Sequence, residues 1–444
     1  MGHHHDYVLR TLEERKVHLV RLWFCDVLGQ LKSVAISPVE LETAFEDGIQ
    51  FDGSAVDGFS RVQESDVLAM PDPSSFQLMT WGDGEVSARM FCDIVHLDGT
   101  PFEGDPRQVL KRNLQRARDR GFELMCAPEV EYFYLASDDP SQPPQTLDNG
   151  SYFDLTTSDI ASDIRRATIH QLENTGIPVE YSFHEDAPSQ HEIDLRYDDA
   201  LAMADAIMTL RVVVKEVAYQ HGVHATFMPK PIAGVQGSGM HTHISLFRDE
   251  ENAFYDSEGD ANLSEVARQF IAGLLRHAPE ITAVTNQLVN SYKRLIGGFE
   301  APVHVSWARN NRSALVRVPV SKPNKEAAGT RIEYRALDPA CNPYLAFSVL
   351  LAAGLAGIEG NYELAPETTG NLFELAEQGN LDESIELLPS SLAEALDLME
   401  QSELAREALG EHIFEWFLRN KRAEWAAYKA HVSQFELDRY LGNW

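Results

Sequence analysis

The sequence predicts an α+β protein with a small N-terminal domain and a large C-terminal domain. Its 444 residues exceed one ordinary core, since domains average roughly 150 residues, so two unequal domains are expected. Strand-like runs recur up to about residue 335, whereas the remainder is mostly amphipathic helix that we expect to form an outer layer. A Gly-, Pro- and Asp-rich stretch at 98–105 separates the two parts. We therefore predict domains at 1–104 and 105–444.

Charge and composition exclude several classes of protein. The formal net charge of −32 would repel both nucleic acid and an anionic membrane, so neither is an expected partner. The longest apolar run, 345–358, is too short to cross a bilayer, and no secretory segment is recognisable, which predicts a cytoplasmic protein. The four cysteines form no CxxC pair, which argues against a zinc knuckle or a disulfide framework.

The N-terminal elements follow from short-range patterns. Runs 17–25 and 31–36 are strand-like and flank a turn, which indicates a hairpin. The glycine-containing run 51–59 suits a loop that approaches a ligand. A helix is expected from Pro106, which fits the first helical position, to about residue 121.

Carboxylates recur on strands that should be partly buried. In the predicted strand 128–135, Glu129 and Glu131 share a face with Phe133 and Leu135. Ionised carboxylates on an apolar face require a cation or a metal ion. Predicted helices at 160–175 and 199–220 bracket a second acidic segment. That segment contains Glu180, Glu185, Glu192 and Asp194.

A glycine turn followed by a strand is the most informative stretch, residues 237–246. Alternation puts His241, His243 and Ser245 on one face and apolar residues on the other. Farther along, strand-like runs are predicted at 311–318 and 331–335, after a helix at 263–280 and a glycine-containing loop that ends near residue 302.

Together, these strand faces supply a set of carboxylate oxygens and one imidazole, and this donor set suits Mg²⁺ or Mn²⁺. The set is Glu129, Glu131, Glu185, Glu192, His241 and Glu333. Arginines that match carboxylate or phosphate accompany it, namely Arg294, Arg312, Arg317, Arg331 and Arg335. Acids and arginines together indicate phosphoryl transfer to an anionic substrate. The sequence has neither a Walker A loop nor a Gly-rich dinucleotide turn after a strand.

Six motifs, in order along the chain, resemble bacterial type I glutamine synthetase, and most closely its shorter actinobacterial-type paralogues, which include ligases for polyamines and other amines. They are Phe51-Asp52-Gly53-Ser54, Pro128-Glu129-x-Glu131, Gly237-Ser238-Gly239-Met240-His241-x-His243-x-Ser245, Asn311-Arg312-Ser313, Arg331-x-Glu333-x-Arg335 and Asn342-Pro343-Tyr344. The resemblance implies a β-grasp domain, a catalytic domain with an antiparallel-sheet funnel, and a homododecamer. It also implies two or more Mg²⁺ or Mn²⁺ ions per subunit, with ATP as a substrate.

The resemblance also implies individual roles. It assigns one metal to Glu131, Glu185 and Glu192, and a second to Glu129, His241 and Glu333. It assigns ATP contacts to Glu180, His243, Ser245, Arg317 and Arg331. It assigns glutamate or phosphate contacts to Gln236, Gly237, Arg294, Arg312 and Arg335. It assigns the amine pocket to Asp52, Ala55, Tyr152, Glu185 and Glu300, with Asp52, Glu300 and Arg312 catalytic.

The implied reaction activates the glutamate side chain as an acyl phosphate, which ammonia then attacks to give glutamine. Three positions depart from the family pattern. Ala55 replaces a common serine, Gln236 replaces asparagine, and Phe373 replaces the tyrosine that is adenylylated in some members, so we expect that modification to be absent. The alternatives are a ligase for a polyamine or other primary amine, a catalytically idle structural or regulatory oligomer, and a metal-dependent amidohydrolase, for which more histidine ligands would be expected.

Overall fold

The computed structural model describes residues 2–58, 66–79, 86–155, 160–298, 301–382 and 384–444. Within these ranges the strands form two sheets, one of six strands and one of ten, with helices packed around both. The α+β prediction is confirmed. The small sheet ends at residue 96 and the large one begins at residue 123, and the boundary between residues 104 and 105 stays a prediction.

The small sheet is mixed. Its strands are β1 (Leu19–Cys25), β2 (Leu31–Ile36), β3 (Ile49–Asp52), β4 (Asp66–Pro71), β5 (Gln77–Met79) and β6 (Ser87–His96). They lie in the order β2-β1-β6-β4-β3, with β5 also paired to β6, and only β1 and β6 run parallel. The predicted hairpin is confirmed, because Val20 pairs with Ile36 and Cys25 with Leu31. Helices α1 (Gly2–Glu14) and α2 (Leu41–Asp47) accompany this sheet.

The large sheet carries the carboxylate-rich strands. They are β7 (Glu123–Leu135), β8 (Val179–His184), β9 (Gln190–Leu195), β10 (Asp198–Asp199), β11 (His224–Thr226), β12 (Met240–Arg248), β13 (Glu251–Asn252), β14 (His304–Ala308), β15 (Ala314–Arg317) and β16 (Ile332–Tyr334). The main order is β14-β15-β16-β12-β7-β9-β8. All pairs are antiparallel except β14 with β15.

Helices surround this sheet. They are α3 (Pro106–Arg118), α4 (Ile160–Asn174), α5 (Ala200–Gln220), α6 (Glu265–Thr285), α7 (Ser291–Arg294), α8 (Glu326–Gly329), α9 (Pro343–Glu359), α10 (Leu372–Glu377), α11 (Leu392–Glu400), α12 (Glu403–Leu409), α13 (Glu411–Ala430) and α14 (Gln434–Tyr440). α3 begins as predicted, with Pro106 in its first turn and Asp105 accepting a hydrogen bond from the Arg107 backbone N–H (2.9 Å).

The prediction of an outer layer from residue 342 onward is wrong for α9. This helix is apolar on almost every side and packs against α3, α6 and α12 in the centre of the molecule. Within the described chain, no helix is long and apolar enough to cross a bilayer.

A buried ionic cluster joins the two sheets. The Arg107 guanidinium on α3 contacts Asp72 (2.8 Å) and Asp93 (2.6 Å) beside the small sheet, and Asp205 (3.0 Å) on α5. Only 3% of the Arg107 side chain is exposed. Lys111 also contacts Asp93. Apolar contacts reinforce the junction, since Trp23 and Phe91 of the small sheet belong to the main core.

Candidate active site

Strand β12 is the centre of the site, and its alternation is confirmed. Met240, Thr242 and Ile244 are buried, whereas His241 and His243 are partly exposed on the opposite face. β12 lies between β7 and β16, so its histidines adjoin carboxylates on both sides. His241 pairs in register with Glu129, and His243 pairs with Glu333.

Glu129, His241 and Glu333 converge as a three-ligand group. One ligand atom from each lies within 4.8 Å of the others. His241 Nδ1 is 3.5 Å from Glu129 Oε2 and 3.6 Å from Glu333 Oε1, and His243 Nε2 is 2.7 Å from Glu129 Oε1. Burial would raise the pKa of Glu129, but hydrogen bonds from the two histidines hold it well below its ordinary value. Two carboxylates and an imidazole form a donor set that suits a divalent cation.

Two arginines bind Glu333 from opposite sides. Arg317 contacts Oε2 at 2.5 Å, and Arg335 contacts Oε1 at 2.6 Å. Glu333 is fully buried, and burial would raise its pKa, but the positive charge of Arg335 lowers it. The carboxylate is therefore held ionised and fixed in orientation.

A second group of carboxylates lies along β7, β9 and the turn after β8. Glu131 pairs in register with Glu192, and Glu129 pairs with Asp194. Burial, followed by repulsion from Glu131 and Asp194, raises the pKa of Glu192 well above its ordinary value. Burial and the charge of Glu129 raise the pKa of Asp194 to about 7. This excess of negative charge would be neutralised by a bound cation.

Two glycines allow the backbone to approach these side chains closely. A Cβ on Gly237 would lie 2.3 Å from the Pro229 carbonyl oxygen, and one on Gly239 would lie 2.6 Å from Arg294 Nη2. The Gly239 N–H also donates to Glu131 Oε2 (2.9 Å). Arg294 is buried and donates to the Ala336 carbonyl (2.8 Å), which fixes its guanidinium near the acidic group.

Most of the predicted residues line two neighbouring cavities. The first, about 380 Å³, is lined by Glu129, Glu131, Tyr152, Glu185, Glu192, Gln236, Gly237, His241, Arg294, Arg312, Arg317, Glu333 and Arg335. The second, about 340 Å³, is lined by Glu180, His243, Ser245 and Arg331. Both are bordered by Glu129 and Asp194. Arg317, expected among the ATP contacts, lines the first cavity.

Two of the predicted residues that the structure describes do not line either cavity of their own chain. Asp52 and Ala55 lie on the loop after β3, and neither lines the first or the second cavity. The Asp52 carboxylate accepts hydrogen bonds from the Ser54 N–H (3.0 Å) and hydroxyl (2.7 Å). Glu300 lies outside the described residues.

The structure adds residues that sequence reasoning missed. Gln190 donates to Glu131 Oε2 (2.9 Å) and to the Gly237 carbonyl (3.1 Å), bridging the acidic group and the glycine turn. Phe153, Tyr181 and Phe183 join Tyr152 in an aromatic wall of the first cavity. No spacing rule identifies Gln190, because its partners Glu131 and Gly237 are 59 and 47 residues away in sequence.

A third cluster, Asp148, His184 and His191, lies close to the acidic group, and its ligand atoms also meet within 4.8 Å. Arg165 donates to His191 Nδ1 (2.7 Å), so the remaining ring proton is on Nε2 and that nitrogen has no free lone pair. His184 contacts Asp148 Oδ1 (3.0 Å) and the Glu185 carbonyl (2.6 Å). We interpret this cluster as a hydrogen-bonded support for the strands carrying Glu185 and Glu192.

Comparison with known proteins agrees with this architecture. The family model described as the glutamine synthetase β-grasp domain matches residues 16–97, and the one described as the glutamine synthetase catalytic domain matches residues 103–440. The chain therefore belongs to the glutamine synthetase family. The expectation of a β-grasp domain followed by a catalytic domain of this family is confirmed.

Relatives match over almost their whole length. The chain is 55% identical to a glutamine synthetase of Mycolicibacterium smegmatis, covering 99% of this chain and 100% of the relative. It is 48% identical to a glutamine synthetase of Methanosarcina mazei, covering 98% and 97%. A solved structure described as a GmaS/ADP complex superposes with a TM-score of 0.87 at 31% identity, covering 98% of this chain and 99% of the other. Proteins of this family use ATP and divalent metal ions.

Proposed function

We propose that this protein is an ATP-dependent glutamate–ammonia ligase that makes glutamine through a γ-glutamyl phosphate intermediate. The observation that carries the proposal is the convergence of two acidic groups and four arginines on one cavity, beside a second cavity of similar size. Full-length identity to glutamine synthetases supports the same reaction.

The donor sets fit Mg²⁺ or Mn²⁺. Glu129, His241 and Glu333 would hold one ion, and Glu131, Glu185 and Glu192 would hold another. The fit rests on hard oxygen donors and on the burial and the neighbouring negative charges that raise the pKa of Glu192. When bound there, the ions would neutralise charge on the phosphate oxygens.

Each cavity takes one substrate. ATP binds in the second cavity, where Glu180, His243, Ser245 and Arg331 contact it, with Arg317 at the boundary between the cavities. Glutamate binds in the first cavity against Gln236, Gly237, Arg294 and Arg335. Arg312 stabilises the transferring phosphoryl group, since a guanidinium matches the geometry of phosphate oxygens.

The reaction has two steps. A γ-carboxylate oxygen of glutamate attacks the γ-phosphorus of ATP, and ADP leaves. Ammonia then attacks the acyl carbon, and phosphate leaves with the former carboxylate oxygen. Asp52 takes a proton from the ammonium ion before attack, and Glu300 accepts a proton from the tetrahedral adduct.

Asp52 performs its step in the cavity of a neighbouring subunit within a homododecamer. The absence of Asp52 from both cavities of its own chain, among the described residues, supports this arrangement. We place the enzyme in the cytoplasm, with glutamate, ATP and ammonia as its small-molecule partners.

A larger primary amine is the alternative second substrate. The aromatic wall favours it, because aromatic faces attract alkylammonium ions. Tyr152 and Phe153 have ring centroids 4.1 Å apart, and Phe153 packs on Phe183 at 4.7 Å. The likeness to GmaS structures supports this alternative too.

A panel of amines discriminates the candidates. Phosphate release from ATP and glutamate is measured with ammonium, methylamine, ethanolamine, putrescine and spermidine. We expect ammonium to give the highest kcat/KM. If turnover requires a larger amine, the polyamine or alkylamine ligase replaces our first choice. If no amine supports turnover while ATP and glutamate both bind, the protein is an idle structural or regulatory oligomer.

Ala55→Ser is expected to lower the apparent KM for ammonium severalfold. The added hydroxyl supplies a hydrogen bond worth about 1 kcal/mol in the loop that carries Asp52. It also removes volume, so the KM for any alkylamine should rise. Steady-state kinetics with both amines test this, and equal shifts for ammonium and methylamine would show that residue 55 does not face the amine.

A further inference from the structure

A separate cavity, about 510 Å³, lies between the N-terminal part of the chain and the helices of the catalytic part. Its walls come from the turn after β1, from α5, from residues 226–228, and from α13. It shares no lining residue with the two cavities described above. Gln287 fixes its shape by donating to the carbonyls of Leu28 (2.8 Å) and Ala340 (2.6 Å).

Positive charge is concentrated in this cavity, although the whole chain carries a net charge of −32. Arg211, Lys215 and Lys421 line it, against a single carboxylate, Glu424. Arg211 and Lys215 lie one turn apart on α5, where like charges repel each other. Such a cluster is destabilising unless something neutralises it.

Glu424 cannot neutralise all three cations. One of its oxygens contacts Lys421 Nζ (2.9 Å), and the other accepts the Val289 N–H (3.0 Å). Among the described residues, neither Arg211 nor Lys215 forms an ion pair within 4.0 Å, although the charge of the buried Asp338 carboxylate acts on Arg211. Arg211 donates to the Cys341 carbonyl (2.7 Å), but its buried Nε has no hydrogen-bond partner in the described chain.

The rest of the wall is apolar. Met208 and Phe227 are buried beside the cations, and Leu28, Leu31 and Leu288 complete the surface. Lys215 Nζ lies 5.8 Å from the centre of the Phe227 ring, which keeps the ammonium group next to this wall. The cavity therefore offers guanidinium and ammonium donors beside a hydrophobic surface.

We propose that this cavity binds a small organic oxyanion, a carboxylate or a phosphate ester attached to an apolar group. Arg211 and Lys215 bind the oxygens, and the Met208–Phe227 wall takes the apolar group. Arg211 Nε has no hydrogen-bond partner in the described chain and the Lys215 ammonium group is exposed, so an oxyanion in the cavity gains charge-assisted hydrogen bonds from both. The site is distinct from the ligase site, so its existence does not depend on the proposed function.

Calorimetric titration of the full-length protein tests the proposal, with benzoate and phenyl phosphate as probes and neutral benzamide as the control ligand. No nucleotide or glutamate is added, because these oxyanions would compete for the cavity, and the variants below separate binding in this cavity from binding in the ligase site. We expect at least one oxyanion to bind and benzamide not to bind. The preferred probe identifies carboxylate or phosphate as the recognised group.

Variants locate the binding. Lys215→Gln and Arg211→Gln should each weaken the oxyanion about tenfold or more, since each removes a charge-assisted hydrogen bond. Lys429→Gln removes an exposed positive charge from α13 outside the cavity and should leave the affinity unchanged. If Arg211→Gln fails to fold, the affinity of the Lys215→Gln variant tests the proposal by itself, because Lys215 is exposed. Failure of both oxyanions to bind, or equal affinities in the Lys215 and Lys429 variants, would overturn the proposal.

Discussion

Glu333→Ala is expected to reduce turnover by more than about a hundredfold and to raise the Mg²⁺ or Mn²⁺ concentration needed for half-maximal activity. Changes to groups that merely support a ligand typically cost about 10- to 100-fold, and a ligand itself should cost more. Glu333 is also the common partner of Arg317 and Arg335, so its loss leaves two guanidinium groups without their carboxylate. The measurement is steady-state kinetics across a metal-ion titration.

The control variant is Glu367→Ala, which removes another carboxylate paired with an arginine. Glu367 contacts Arg309 outside both cavities, so turnover and metal dependence should stay within twofold or so of the parent. Glu333→Gln keeps the side-chain volume and separates loss of charge from misfolding. An unchanged metal dependence in both Glu333 variants would show that Glu333 is not a metal ligand.

Arg107→Met is expected to destabilise the protein by about 3–5 kcal/mol, because it leaves buried carboxylates without their central cation. Asp72, Asp93 and Asp205 all contact this one guanidinium at the junction of the two sheets. Lys111 compensates only in part, since its contacts are with Asp93 and Asp72 (3.8 Å), on the small-sheet side of the cluster. Urea-induced unfolding, followed by tryptophan fluorescence, measures the loss.

The matched control lies on the same helix. Arg116 forms an exposed pair with Glu407 (2.8 Å), so Arg116→Met should cost less than about 1 kcal/mol. Equal unfolding midpoints for the Arg107 and Arg116 variants would show that the junction cluster contributes no more than a surface ion pair.

The difference between wild type and Arg107→Met should depend on pH. Burial would raise the pKa of Asp72, but the charge of Arg107 and hydrogen bonds from Ser74 and Arg107 lower it from 3.8 to about 2. A lowered pKa means that folding favours the ionised form. The resulting stabilisation is complete above pH 3.8 and is lost as the pH falls through 2. The two proteins should therefore converge in stability in strong acid, and a constant difference there would contradict this assignment.

Much of the site could be predicted because strand alternation is a local property. The faces of β7, β12 and β16 follow from period-two patterning, and each brings its polar residues to one side of the sheet. This patterning places Glu129, His241 and Glu333 in one set of candidate ligands, whereas their grouping as a single metal site is implied by the resemblance to glutamine synthetases. Their contact required β12 to lie between the other two strands, which the sequence pattern alone does not specify.

The remaining features depend on long-range contacts. Arg107 contacts carboxylates from three other segments of the chain, and Gln190 on β9 reaches past β7 to the glycine turn before β12. The sequence of helix α9 shows that the helix is apolar, but only its packing against α3, α6 and α12 shows that it lies in the centre of the molecule. The sequence does not predict strand β14, because this strand pairs with β15 in parallel and the two do not form a hairpin with a recognisable turn.

The transfer of an oxygen atom from glutamate to phosphate is direct evidence for a γ-glutamyl phosphate intermediate. Glutamate labelled with ¹⁸O in its γ-carboxylate is incubated with unlabelled ATP, Mg²⁺ and ammonium, and the released phosphate is analysed by mass spectrometry. We expect one labelled oxygen in each phosphate, because the attacking carboxylate oxygen leaves with phosphorus. Release of unlabelled phosphate at the same rate would mean that water attacks ATP, and it would contradict a γ-glutamyl phosphate intermediate.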